Sequence, residues 1–227
     1  RVQHMGRLRR LPLHYAAQTG KPDAIEYLLK RRSPVDEQDN DGQTALHLAV
    51  ASGSLAAVER LIEGGADPGI INRFGETPLQ IAASAGRVGM VSALIKAGSP
   101  LDTQSKAGKT AVASALAAGH TEVASVLLDH GAAVDLRDSS GMTALHAAAS
   151  ESDVEIVRTL LDHGADPNVA GDDFGATALH VASANNNRAI IRLLIEHGAS
   201  VSKTTRNGLT PLHLAAQSGY AESVDVL

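Results

Sequence analysis

Ten histidines in 227 residues, beside 25 carboxylates and no cysteine, make metal binding the first chemistry to test. A zinc site would need three or four imidazoles or carboxylates converging to within about 2.1 Å of one ion. The histidines are spaced differently. His14, His47, His146, His180 and His213 each follow a Leu at equivalent places along the chain, and His130, His163 and His197 share a second equivalent place. Equivalent residues on stacked helices lie about 8 to 10 Å apart, too far to share an ion. The spacing therefore predicts structural duty and no metal site. Gly108-Lys109-Thr110 ends like a phosphate-binding loop, but that motif needs a Gly five residues before its second Gly, and Thr103 stands there. Ser, His and Asp recur in phase rather than as one unique constellation, so no nucleophile is paired with a base. No catalytic residue and no cofactor is expected.

The elements that carry these residues repeat. Turn glycines fall at Gly42, Gly75, Gly108, Gly141, Gly175 and Gly208, with steps of 33, 33, 33, 34 and 33, and each is followed two residues later by a Thr. In the last copy Asn207-Gly208 supplies a tight turn, Thr210 a capping hydroxyl, and Pro211 a first helical residue that needs no N–H. Leu212, Ala215 and Ala216 then follow at helical spacing, and the two alanines let another helix approach closely. An earlier copy starts at Leu13-His14, with Arg9 and Leu11 in place of the Gly and Thr. Each first helix of about nine residues ends at a breaker, Gly20, Gly53, Gly86, Gly119 or Gly219, replaced by Ser152 and Asn186 in two copies. A second helix follows, with apolar residues such as Val58, Leu61 and Ile62 at helical spacing, and closes at Gly65, Gly98, Gly131, Gly164 or Gly198. Arg32 takes that closing place in the first copy, a less favourable helix end.

Composition bounds the function classes. The chain is 44% apolar, 20% charged and only 2% aromatic, so Ala, Leu, Val and Ile must fill a thin, regular core. A formal charge of −5 argues against nonspecific binding to nucleic acid or an anionic membrane. No apolar run approaches the 18 to 20 or so residues of a membrane helix. The absence of cysteine fits a reducing compartment, cytoplasmic or nuclear. Arg1, Arg7, Arg9 and Arg10 form a basic head over residues 1–10, read as a solvated terminus. Arg1 in first place and a last helix stopping at Leu227 suggest a fragment of a longer protein, with Arg1 to Met5 partly vector-derived.

These residues resemble the ankyrin repeat family, with Thr210-Pro211-Leu212-His213 as its helix start and Gly164-Ala165-Asp166-Pro167-Asn168 close to its helix exit. The resemblance covers 11–227 and implies an all-α solenoid of stacked antiparallel helix pairs with β-hairpin-like loops. The copies run over about 6–38, 39–71, 72–104, 105–137, 138–171, 172–204 and a truncated 205–227. It further implies that the His after Leu bonds backbone between repeats. The fourth copy, Thr110-Ala111-Val112-Ala113, lacks both Pro and His and so lacks that tie. The one extra residue lies in Val169 to Phe174, read as an exposed bulged finger.

The family resemblance also implies a non-catalytic, monomeric domain that binds a protein through a concave groove and loop tips. The alternatives are a targeting or autoinhibitory segment of a larger enzyme, channel or ubiquitin ligase, or a secreted microbial effector. Residues that vary while the scaffold holds constant are the candidate contacts. They are Asn40, Asp41 and Gln43; Arg73, Phe74 and Glu76; Lys106 and Lys109; Met142, beside Ser139 and Ser140; Asp172, Asp173 and Phe174; then Arg206, Asn207 and Leu209. Phe74 and Phe174, the two phenylalanines of the chain, stand just before turn glycines and could anchor a partner or pack on the neighbouring loop. Asn168, with Leu160 eight residues before it, matches the pattern of asparaginyl hydroxylation in such loops.

Overall fold

A computed structural model describes residues 9–171 and 173–227. Among them are fourteen α-helices and no strand, and the chain divides into two compact units, the first ending at Ala132 and the second beginning at Ala133. In the first unit the short first helices are α1 (Pro12–Gln18), α3 (Ala45–Ser52), α5 (Pro78–Ser84) and α7 (Ala111–Ala117). The second helices are α2 (Pro22–Lys30), α4 (Leu55–Glu63), α6 (Val88–Lys96) and α8 (Thr121–Asp129). Helices of one row pack on the next copy's counterpart, α1 on α3, α3 on α5 and α5 on α7, and likewise α2 through α8. The second unit repeats the scheme with α9 (Ala144–Glu151), α11 (Ala178–Ala184) and α13 (Pro211–Gln217) in one row. Its other row holds α10 (Val154–Asp162), α12 (Arg188–Glu196) and the short α14 (Ala221–Val224).

The repeat period places the core. Leu13, Leu46 and Leu79 in the first unit, and Leu145 and Leu179 in the second, hold one register and are all at most 2% exposed. Ala17, Ala49, Ala83, Ala115, Ala149, Ala182 and Ala215 are fully buried where first helices meet, so the small side chains set the close spacing read from the sequence. Second helices contribute Ile25, Val58, Val91, Val157 and Ile191, also fully buried. Removing each such side chain from water contributes on the order of 1.5 to 3 kcal/mol. First helices run seven or eight residues, shorter than the nine expected, because the breaker turn takes over the last positions.

Helix ends follow the residues assigned to them. Thr44, Thr110, Thr143, Thr177 and Thr210 accept the backbone N–H three residues on. Ser152 and Asn186 adopt positive φ, 59° and 55°, at the places held elsewhere by glycine, and Arg32 does so at 60°. Arg9, which stands where the turn Gly should be, also has a positive φ of 50°. The backbone path of the repeat is thus kept where its preferred residue is missing, at the cost of local strain.

Ser99 departs from the pattern of the core. Its hydroxyl is buried with no hydrogen-bond partner, whereas Ala66, Ala132, Ala165 and Ala199 fill the equivalent place. Ser99→Ala is expected to raise the unfolding free energy by about 1 kcal/mol, because it removes an unsatisfied buried oxygen without opening a cavity. Urea denaturation checks this, and an unchanged midpoint would mean that the hydroxyl is already satisfied.

Candidate functional site

Among the described residues, five loop tips are each built on one polar residue three places before the turn glycine. Asp39 Oδ1 accepts the N–H groups of Asp41 and Gln43, both at 2.9 Å. Asn72 Oδ1 accepts those of Phe74 and Glu76, at 2.9 and 3.1 Å, and Asp138 Oδ1 those of Ser140 and Met142, at 2.8 and 3.0 Å. Ser105 and Thr205 make a single bond of the same kind, to the N–H of Lys109 and of Leu209. Backbone bonds such as Asp39 N–H to Gln43 O close the turn. The glycine within it is required twice over: at Gly42 φ is 72°, and a Cβ there would lie 2.9 Å from the backbone nitrogen of Arg73.

Successive tips are joined through backbone. In the first unit Arg73 N–H donates to Asp41 O and Lys106 N–H to Phe74 O, both at 2.9 Å, and in the second Arg206 N–H donates to Phe174 O at 2.8 Å. Backbone thus fixes the spacing and leaves most tip side chains outward. Asn40, Arg73, Phe74, Lys106 and Lys109 are exposed in the first unit, and Asp173, Phe174, Arg206 and Asn207 in the second. Asp41, Gln43, Glu76, Met142 and Leu209 are half-buried, and Asp172 lies outside the described residues. Arg73 Nη1 bonds Asp41 Oδ1 at 2.7 Å while its guanidinium carbon sits 4.7 Å from the Phe74 ring centre, and 48% of Phe74 stays open to solvent. Phe174 is 65% exposed.

The loop Val169 to Phe174 differs from the exposed finger expected. Gly171 is buried and forms an isolated antiparallel bridge with Ala176, and a Cβ on it would come within 2.9 Å of both His146 Nε2 and Met142 Sδ. That bridge anchors the loop at its base, and among its described residues Asp173 and Phe174 are the exposed ones.

Most of the described histidines fall into two structural sets. Thr44 N–H donates to His47 Nδ1 at 3.1 Å, so Nε2 carries the proton and donates to Glu76 O at 3.0 Å, one repeat further on. His14, His146 and His180 bond Glu37 O, Ala176 O and Leu209 O in the same way. Burial holds the His47 imidazole below its ordinary pKa, against the opposing pull of the Glu76 carbonyl and the Asp39 charge. Gln80, unremarked in the sequence, fills this position in the third copy: its Oε1 accepts Thr77 N–H, and its Nε2 donates to Lys109 O at 2.8 Å and Thr103 O at 3.0 Å. At Ala113 no side-chain donor exists. His130, His163 and His197 instead bond the carbonyl four residues back, at the ends of their helices. Among the described residues no three His, Asp or Glu side chains are grouped to hold a metal ion.

Asn168 also ties neighbouring copies. Its Oδ1 accepts Ser200 N–H at 2.8 Å and its Nδ2 donates to Gly198 O at 2.9 Å. Asp36 and Asp135, at equivalent places, accept the N–H of Asp67 and Asp166. Burial, opposed by the Asp166 N–H and reinforced by the Asp166 carboxylate, lifts the Asp135 carboxyl above the ordinary carboxylate range. Arg10, read with the basic head, is mostly buried and pairs through Nε with Asp39 Oδ2 at 2.8 Å.

A groove of about 430 Å³ lies along the open side of the first helices in the first unit. Val50 and Ala51 of α3, Gln80, Ile81 and Ser84 of α5 and Ser114 of α7 line it, with Glu76 and Arg87 just beyond the two ends of α5.

A family model described as ankyrin repeats (three copies) matches residues 3–72, 53–138, 89–171 and 168–227. The structure is similar to the ankyrin repeat domain of Bcl-3, which is described as a unique member of the IkappaB protein family. The TM-score is 0.88 at 30% identity, over 96% of this chain and 97% of that one. It is also similar to the human ASB11 ankyrin repeat domain, with a TM-score of 0.76 at 29% identity over the same shares of the two chains. No curated protein sequence matches the chain.

Proposed function

Because this chain belongs to the ankyrin repeat family, a general protein–protein interaction fold, we propose that it is a non-catalytic domain binding a protein partner through its loop tips and the open side of its first helices. The observation that carries this reading is the outward display of Phe74 and Phe174 on tips whose backbone is already fixed from loop to loop. A rigid, preorganised surface loses little entropy on binding, and exposed aromatics on it are suited to fill pockets in a partner. The groove along α5 supplies adjoining apolar and polar surface. Dispersed hydrogen-bonding groups are used up by the scaffold, as the His and Thr pairs illustrate. Modification of Asn168 would require opening the two bonds that its side chain makes to the next copy.

Phe74→Ala combined with Phe174→Ala is expected to weaken partner binding about tenfold or more while leaving the melting temperature unchanged. Affinity purification with mass spectrometry, paired with thermal denaturation, reads both quantities. A lower melting temperature with the same proteins recovered would assign the rings to loop packing and refute the anchor role.

A further inference from the structure

The first unit carries a charge asymmetry that the net charge conceals. The chain has a formal charge of −5, yet residues 73–121 hold five cations, Arg73, Arg87, Lys96, Lys106 and Lys109, against two carboxylates, Glu76 and Asp102. Lys96 is on α6, in the row away from the groove. Arg73 is bound to Asp41. The side chains of Arg87, Lys106 and Lys109 make no ion pair or hydrogen bond among the described residues, and all three are exposed.

Of these three cations Arg87 lines the groove, past the C-terminal end of α5, and Lys106 and Lys109 are on the tip whose backbone is bonded to Phe74 and to the groove residue Gln80. The floor between offers Ala51 and the half-buried Ile81, with Val50 fully buried beneath, and the exposed Phe74 ring belongs to the adjoining tip. Apolar surface running between separated, unpaired cations is complementary to a ligand that alternates apolar groups with carboxylates. A polynucleotide is disfavoured, since Glu76 lines the same groove and the chain as a whole is acidic.

We propose that this face of the first unit receives an extended acidic peptide segment, with an apolar side chain against Phe74 and its carboxylates reaching Arg87, Lys106 and Lys109. The inference rests on the protein-binding reading above and adds the chemistry of the partner. Fluorescence anisotropy with a labelled peptide of alternating Glu and Leu tests it, with Lys/Leu and Glu/Ser peptides and an oligothymidylate as comparisons. The Glu/Leu peptide is expected to bind most tightly and to weaken with added salt. The Arg87→Glu, Lys106→Glu, Lys109→Glu triple variant should lose about tenfold or more in affinity, the Gln triple variant an intermediate amount, and Phe74→Ala several-fold at constant salt dependence. Circular dichroism confirms the fold of each. Equal binding of the Glu triple variant and the wild type, or binding of the Lys/Leu peptide or oligothymidylate as tight as that of Glu/Leu, overturns the proposal. If the Phe74 and Phe174 variants lose their recovered proteins while the acidic peptide fails to bind, the acidic-segment inference falls and the protein-binding reading stands. If the peptide binds through the cations but those variants recover everything, the tip anchors fall instead.

Discussion

Replacing His47 by Ala is expected to lower the unfolding free energy by about 3 kcal/mol, because the imidazole fills buried space and joins two copies at once. The residue is fully buried; its loss leaves Thr44 N–H and the Glu76 carbonyl without their partner. His47→Gln should cost about 1 kcal/mol or less, since Gln80 makes both contacts in the next copy with an amide. The glutamine variant also isolates a pH effect. Burial keeps the folded pKa of His47 below that of the unfolded chain, so the unfolded state binds the extra proton. This contribution to stability is complete above the unfolded value of about 6.5 and is lost as pH falls from there towards the folded value. Urea denaturation between about pH 7.5 and pH 5.5 should show a shallower decline for His47→Gln than for the wild type. Parallel curves for the two would remove His47 as the titrating group.

Asp39→Ala should be comparably severe, at about 3 kcal/mol. The Asp39 side chain is fully buried, its Oδ1 holds the first described tip together, and its Oδ2 neutralises a mostly buried Arg10. Truncation leaves Arg10 Nε and two backbone N–H groups without their acceptor together, with Arg10 keeping only its bond to Gln18. Asp39→Asn retains the Oδ1 acceptor and loses only the charge pair, so about half the penalty is expected. Burial by itself would raise the Asp39 pKa, but hydrogen bonds from Arg10 and from the Gln43 and Asp41 N–H groups, with the Arg10 charge, bring it below the ordinary carboxylate range. A depressed carboxyl pKa stabilises above the unfolded value of about 4, and that contribution is lost as pH falls through the folded pKa. Acid unfolding followed by circular dichroism should therefore begin at higher pH in Arg10→Met than in the wild type. An unshifted midpoint would show that the pair contributes nothing measurable.

What was legible in the sequence was the backbone. A recurrence of Gly and Thr every 33 or 34 residues located six turns and the six helix starts that follow them, and even the substitutes Ser152, Asn186 and Arg32 follow the φ their positions require. Such positions are visible because a left-handed conformation narrows residue choice to a few types. Hydrogen-bond roles were less legible, because chemically different residues can fill them. Gln80 takes the place of a histidine, and Asp39, Asn72, Ser105, Asp138 and Thr205, of four residue types, all accept the same loop bond. Arg10 was hidden for another reason: its partner lies 29 residues away, and charge counting in a terminal segment cannot register a buried ion pair. For the candidate site, the sequence picked out residues by variation, and the structure divides them by exposure. Phe74, Lys106 and Phe174 face outward, while Asp41 and Glu76 are partly occupied within their loops.

The side-chain bonds from copy to copy have a kinetic consequence. From His14 to Glu37 and from Ser223 to Asn186 they join residues only 23 to 37 positions apart. Loop closure of that length is entropically mild, and topologies dominated by such short separations fold fast for their size. Within either unit, each helix packs on its counterpart in the adjacent copy, so two copies already offer a surface on which the next can dock. During synthesis, a newly emerged copy can dock on its predecessor without waiting for distant sequence, so each unit can grow in the order in which it is translated.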